Sequence, residues 1–275
     1  MAVYIFGRFL QIYSDQTPIL LIIGLTVVPP AIFALMHGAR LYRMQAMLVF
    51  LTICLFVGNI LENLGVRTGF PFGHYHFTDL MGPKFLVVPI LLGLAYVGMA
   101  YLSWMLAVLI VSDPRVQLSR HSFMTVPLAA AIIMVAWDVS MDPVWSTIMQ
   151  AWIWQRGGAY FGVPITNFIG WFLTVYVIYQ LFAVYLRSLT PNYQSLPTGY
   201  WRLSVIFYSL SAAGNFFLLI PHHAITVVTD ATGRQWNVGE IMGATALISM
   251  FVMGAFAFFA WSKIPRKISD ESSPR

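Results

Sequence analysis

The chain has 275 residues, of which 59% are hydrophobic and only 9% charged. A water-soluble globular domain, which carries about a quarter of its residues charged, is excluded. The net charge of +5 marks no nucleic-acid face, because the basic residues sort by membrane side instead of gathering in one patch.

Apolar runs long enough to cross a hydrocarbon core of roughly 30 Å fall near 18 to 36, 43 to 60, 85 to 111, 122 to 141, 163 to 187, 201 to 220 and 239 to 261. The prediction is an all-α, polytopic membrane bundle of about seven transmembrane helices, with an interfacial helix and a re-entrant loop. Arg40, Arg43, Arg115, Arg120, Arg187, Arg202, Lys263, Arg266, Lys267 and Arg275 lie at alternate loops and in the tail, which the positive-inside rule makes cytoplasmic. The opposite side holds Arg8, Arg67, Lys84, Arg156 and Arg234 with Asp15, Glu62, Asp79, Asp138, Asp142, Asp230 and Glu240. A multi-pass protein of the cell membrane with its N-terminus outside and its C-terminus cytoplasmic follows. Without an internal repeat or linker, residues 1–262 read as a single transmembrane domain and 263–275 as a polar, disordered tail. The sole cysteine, Cys54, lies in the second span and offers packing, with no disulfide or cysteine-based metal site.

Residues 1–17 lack the pattern of a cleavable signal and read as a short interfacial helix. The first span contains Pro29 and Pro30, which predict a kink. In the second, Thr52, Asn59, Glu62 and Asn63 share one face directed into the bundle. Glu62 is either a functional carboxylate or the partner of Arg67 at the membrane surface. The Gly-, Pro- and aromatic-rich stretch from Thr68 to Phe85 predicts a loop or re-entrant turn, a lid or entrance whose rings lie in the interface. His74 and His76 could be metal ligands only with His222 and His223, too few for the His-rich clusters of an iron-dependent lipid desaturase; interfacial hydrogen bonding is expected of them, and no metal. The third span, with Tyr96, Tyr101, Ser103 and Trp104 as its only polar or amphipathic groups, suggests no chemistry.

The fourth span ends in AWDVSMDP. Asp138 and Asp142, four residues apart, project from one helical face, although Pro143 suits the first position of a new helix and would make Asp142 its N-cap. Asp138 lies a turn deeper, where an unpaired carboxylate costs roughly 3 kcal/mol on insertion scales. Residues 144–155, with Trp145, Trp152 and Trp154, predict an interfacial aromatic belt. Asn167, Trp171 and Thr174 in the fifth span, and Ser204, Tyr208, Ser211 and Asn215 in the sixth, form inward-facing stripes. The last span is featureless after Glu240.

Carboxylates among aromatic rings in a membrane cavity suit acid-initiated chemistry on an apolar hydrocarbon. A buried carboxylic acid can protonate a trisubstituted alkene. The faces of Trp and Tyr then stabilise the tertiary cation by up to roughly 2 kcal/mol. Water held by a second carboxylate gives an alcohol, whereas another double bond gives a ring.

The segments GFPFGHYHFTDLMGPK, AWDVSMDP and GAYFGVPITNFIGWFLT, in this order within residues 58–187, resemble the signature blocks of the carotenoid biosynthesis membrane proteins that include bisanhydrobacterioruberin hydratase and the γ-carotene and lycopene end-group hydratases. Val87 and Gly93 depart from the Gly and Pro expected there, which bears on substrate shape. The resemblance implies hydration of the terminal double bond of an acyclic carotenoid end group, without a cofactor. Burial and spacing make Asp138 the acid and Glu62 or Asp142 the base. Substrate contacts are expected from Phe72, His74, Tyr75 and His76 of the loop, Trp137, Trp145, Tyr160 and Phe161, and Asn59, Asn167, Trp171 and Asn215. The expected partners are a long-chain isoprenoid or carotenoid substrate and membrane lipids. A proton-initiated cyclase and a non-catalytic lipid-binding subunit of a carotenoid assembly are the alternatives.

Overall fold

A computed structural model describes residues 1–14, 16–113, 116–188, 196–220 and 226–264. The expectations for Asp15, Arg115, His222, His223 and the tail from 265 concern residues outside these ranges. Six helices among the described residues are long and apolar enough to cross a membrane: Ile19–Thr68, Ile90–Val111, Ser122–Ile148, Ile165–Arg187, Thr198–Leu219 and Val238–Ser262. The chain is a multi-pass, all-helical membrane protein.

Six spans accommodate the seven expected runs because the first is a hairpin. Helix α2 (Ile19–Thr68) has 50 residues, about 75 Å if straight, more than twice the thickness of a hydrocarbon core. Its one non-helical residue is Arg43, at φ 68° and ψ 156°. The rings of Phe33 and Phe50, about 25 Å apart along a straight helix, both pack on Tyr101, with centroids at 6.3 and 6.4 Å. Residues 19–42 and 44–68 therefore fold back on each other. The break lies at Arg43, whereas Pro29 and Pro30 keep helical angles.

Helix α1 (Ala2–Leu10) lies against α2, but it is more than a surface helix, since Tyr4, Gly7 and Arg8 are buried. Helix α3 (Ile90–Val111) is the central span, with its whole course from Tyr96 to Leu109 buried. Helix α4 (Ser122–Pro143) is flanked by α5 (Ile165–Arg187) and α3. Helix α6 (Thr198–Gly214) and the last span, α7 (Val238–Ile248) and α8 (Gly254–Ser262) joined by a π-helical turn Ser249–Met253, close the bundle.

The loops form sheet at one end. Strand β1 (Tyr75–Phe77) pairs antiparallel with β4 (Trp152–Trp154), matching Tyr75 to Trp154 and Phe77 to Trp152. Strands β2 (Lys84–Phe85) and β3 (Val88–Pro89) form a small turn, and β5 (Val227–Thr229) pairs with β6 (Gln235–Asn237). Alternation along a strand turns Tyr75, Phe77, Trp152 and Trp154 inward and leaves His76 exposed. Residues 144–155 thus contain a π-helical turn, Val144–Ile148, and a strand whose Trp152 and Trp154 are buried, where an interfacial aromatic belt was expected. The expected interfacial rings of the loop divide: Phe72, Tyr75 and Phe77 are buried, and Phe70 and Phe85 are exposed. Phe72 enters between α2 and α5 where Gly65 and Gly170 stand; a Cβ at either would fall 2.7 Å from its ring.

Candidate active site

Three carboxyl groups lie buried at the loop end of the bundle, and each is held by a different set of partners. Glu62, on the second arm of the α2 hairpin, is 3% exposed. Its Oε1 accepts the Tyr96 hydroxyl at 2.6 Å and its Oε2 accepts the Tyr75 hydroxyl. Arg67, weighed from sequence as its partner, is exposed one turn further along the helix, and both oxygens of Glu62 are taken by phenols. Tyr96 comes from the third span, whose sequence suggested no chemistry.

Asp142 is 1% exposed. Its Oδ1 accepts from the indole Nε1 of Trp152 at 3.1 Å and of Trp154 at 3.4 Å, and its Oδ2 accepts from Asn167 Nδ2 at 2.6 Å. It is not an N-cap, because helix α4 runs through Pro143, which sits at φ −60° and ψ −31°. Proline cannot donate to the carbonyl four residues back, here Val139, and the Tyr160 hydroxyl donates to that oxygen at 3.3 Å instead. Burial, then the Asp142 charge, pushes the Tyr160 phenol up to about 12, so it remains a donor at neutral pH. The helix continues because a side chain replaces the missing bond.

Asp138 is fully buried, with Oδ2 accepting from Asn167 Nδ2 at 3.2 Å and Oδ1 without a partner. One amide nitrogen therefore joins both aspartates, which is why the i, i+4 spacing reads correctly as a pair. Glu62 and Asp142 line one cavity of about 20 Å³ with Phe72, Tyr75, Phe77, Leu92, Trp152, Trp154, Asn167 and Trp171. Asp138 stands behind Asn167 and is not part of the lining. Trp171 stacks on Tyr96 at 4.5 Å and meets Trp137 edge-on at 6.3 Å.

The other expected contacts are distributed elsewhere. Trp137 and Trp145 line a separate groove of about 70 Å³ that shares Leu92 and Trp152 with the cavity. Phe161 packs on Trp236, and Tyr160 acts on α4 as described. His74 is half-buried and His76 exposed, and neither lines the cavity; among the described residues they join no group of three metal-ligating side chains. Asn59 accepts from Asn63 through its amide oxygen at 3.0 Å. Thr52, expected on the same inward face, is exposed. Asn167, Trp171 and Thr174, and Ser204, Tyr208, Ser211 and Asn215, are all buried as their stripes predict. Asn215 belongs to a second polar cluster, accepting from Arg8 and donating to Ser249 Oγ at 2.7 Å and Ser140 Oγ at 3.4 Å. Ser249 thereby gives the last span a polar contact that its sequence reading lacked.

Sequence reasoning missed Tyr96, Trp152 and Trp154 at the site. The usable signal was the alternation in HYHF and WIW, which places every second ring on one face. A family described as carotenoid biosynthesis protein matches residues 16–231. No curated protein and no solved structure matches the chain.

Proposed function

The chain belongs to the carotenoid biosynthesis protein family, and on that premise we propose that it is a carotenoid hydratase, adding water across the terminal double bond of an acyclic carotenoid end group. The observation that carries the reading is the pairing of Glu62 and Asp142 in one aromatic-lined cavity.

The partners of the two carboxyl groups divide their roles. Indole and amide N–H groups only donate, so the set around Asp142 suits a carboxylate that accepts. Phenol hydroxyls donate or accept, so Glu62 between Tyr75 and Tyr96 can hold or release a proton without losing its partners. Glu62 gives its proton to one alkene carbon, and the positive charge develops on the tertiary carbon among the rings of Trp152, Trp154 and Trp171. Water held by Asp142 forms the carbon–oxygen bond and yields its second proton to Asp142. Return of that proton to Glu62 closes the cycle, with net addition of one water and no redox change. Asp138, the acid favoured by the sequence, becomes a positioning residue acting through Asn167.

Expression in a host that accumulates lycopene or γ-carotene should give pigments heavier by one water, with oxygen from labelled water in the product. An isomer of unchanged mass would mean cyclisation, and an unaltered pigment profile would mean a non-catalytic subunit; either overturns the hydratase reading. Glu62→Gln and Asp142→Asn should each lower turnover by about 10²–10⁴-fold while the protein still inserts.

A further inference from the structure

The carboxylate cavity, at about 20 Å³, is far below the roughly 300 Å³ at which ligand pockets begin. It can take the tip of a hydrocarbon chain, and the rest of that chain must leave through one of the cavity walls. Most of the walls are fixed. Hydrogen bonds hold Tyr75 to Glu62, and Trp152, Trp154 and Asn167 to Asp142. Trp171 stacks on Tyr96, Phe77 packs on Tyr75 and Trp152, and Phe72 is wedged between Gly65 and Gly170. Leu92, in the first turn of α3, is the remaining wall. An aliphatic side chain has no hydrogen bond to lose, and a change of rotamer moves it aside.

Behind Leu92 lies the groove of about 70 Å³, which meets the cavity at Leu92 and Trp152. Its walls are helical stripes: Leu92, Ala95 and Met99 on α3, and Ile23, Val27 and Pro30 on α2. Each stripe runs for about 10 Å along its helix. Helix α4 adds Trp137 and Met141, each one residue before an aspartate, so one helix turns its acids to the cavity and the adjoining face to the groove. The aromatic wall continues between the two, since Trp137 of the groove meets Trp171 of the cavity edge-on at 6.3 Å. The groove offers no free charge to a headgroup: Arg8 directs its guanidinium to Asn215 and Gly214 at the end of α6, and the Thr26 hydroxyl donates to the Ile22 carbonyl at 2.8 Å. An ionic group would be desolvated there without a partner, whereas an apolar chain would not. A larger groove of about 370 Å³ between α6 and the last span shares no residue with the cavity.

We propose that the 70 Å³ groove seats the hydrocarbon chain of the substrate itself, which passes Leu92 to present its end group to Glu62 and Asp142. The identity of that chain rests on the hydratase reading. The groove widens around it because Met81, Met99 and Met141 re-pack readily, and Val27, Ala95, Trp137 and Trp145, only half-buried, leave this side of the bundle accessible. Leu92 becomes a specificity-determining residue: a slender acyclic end passes it, and a ring is refused.

The test uses the full chain in a neutral detergent, with lycopene as the probe. Val27→Cys in this groove and Ser209→Cys in the larger one replace half-buried residues. Cys54 is fully buried, so each variant offers one thiol to a maleimide. Lycopene should slow labelling of Val27→Cys at least tenfold and leave Ser209→Cys unchanged. The groove-filling Val27→Trp and Ala95→Trp should each lower hydration of lycopene at least tenfold relative to hydration of myrcene, a short acyclic terpene with the same trisubstituted end group. Ala213→Trp, in the larger groove, should leave that ratio as it is. Equal protection of both cysteines, or an unchanged ratio in both filled variants, overturns the proposal. Labelling needs no turnover, so protection without hydration would leave the groove standing and sink the hydratase reading, and hydration without protection would do the reverse.

Discussion

At Asn167 one side-chain nitrogen serves two acids, donating to Asp138 at 3.2 Å and Asp142 at 2.6 Å. Asn167→Leu would leave the two carboxyl groups facing each other without that donor. Hydrogen bonds to charged groups contribute about 1.5–3 kcal/mol, so the variant should lose stability on that scale, measured by denaturation in detergent. Replacing Tyr75 or Tyr96 by Phe removes one phenol from Glu62; each change should slow hydration with labelled water, and the double variant should slow it further. The aspartates, Glu62, Asn167 and Trp171 were legible because polar or amphipathic groups stand out in apolar sequence. Tyr96 was not, because a tyrosine in a span is ordinary until a carboxylate faces it. Trp152 and Trp154 were misread because tryptophan favours the interface, and only the pairing with Tyr75–Phe77, 75 or more residues away in sequence, turns them inward.

The elements show where local rules were overridden by contacts from afar. Pro143 predicts a new helix start, yet α4 continues because Tyr160 caps the carbonyl that proline abandons. Tyr160→Phe should therefore cost about 1–3 kcal/mol for an unsatisfied carbonyl, and adding Pro143→Ala, which restores a backbone donor, should recover part of it in thermal unfolding. The β5–β6 hairpin, which no sequence signal announced, is organised by Asp230. That carboxylate accepts from Thr232, from the Arg234 amide at 3.1 Å and from Trp236 Nε1 at 2.9 Å. Burial pushes the Asp230 carboxyl up, but these bonds outweigh it and hold the group below its ordinary value. An acid whose folded value is depressed adds stability above its unfolded value of about 4, and that stability is lost as pH falls through the folded value. Trp236 fluorescence should report loosening of the hairpin below about pH 4, and Asp230→Asn should remove that transition.

For the whole molecule, composition and hydropathy were sufficient to recover the all-helical membrane class, since apolar runs of membrane length have few other uses. The separate runs 18 to 36 and 43 to 60 and the basic pair Arg40 and Arg43 placed a turn between the first two spans, but did not show that it narrows to the single residue Arg43. Its φ of 68° lies where glycine is at ease and other residues are strained by about 1–3 kcal/mol. Arg43→Gly should thus raise the unfolding temperature, and Arg43→Ala should not. Cys54 is fully buried, so single introduced cysteines can report sidedness against a quiet background. Met44→Cys and Ser262→Cys should label from one face of the membrane and Gln235→Cys from the other, as expected if α2 turns back and the last span crosses.

The Arg43 turn also has a consequence for biogenesis. A hairpin closed on one residue leaves no linker between its arms, so the second arm is tethered beside the first as soon as it leaves the ribosome. Glu62 is carried on that second arm, before Tyr96 of α3, which will meet it, has been synthesised.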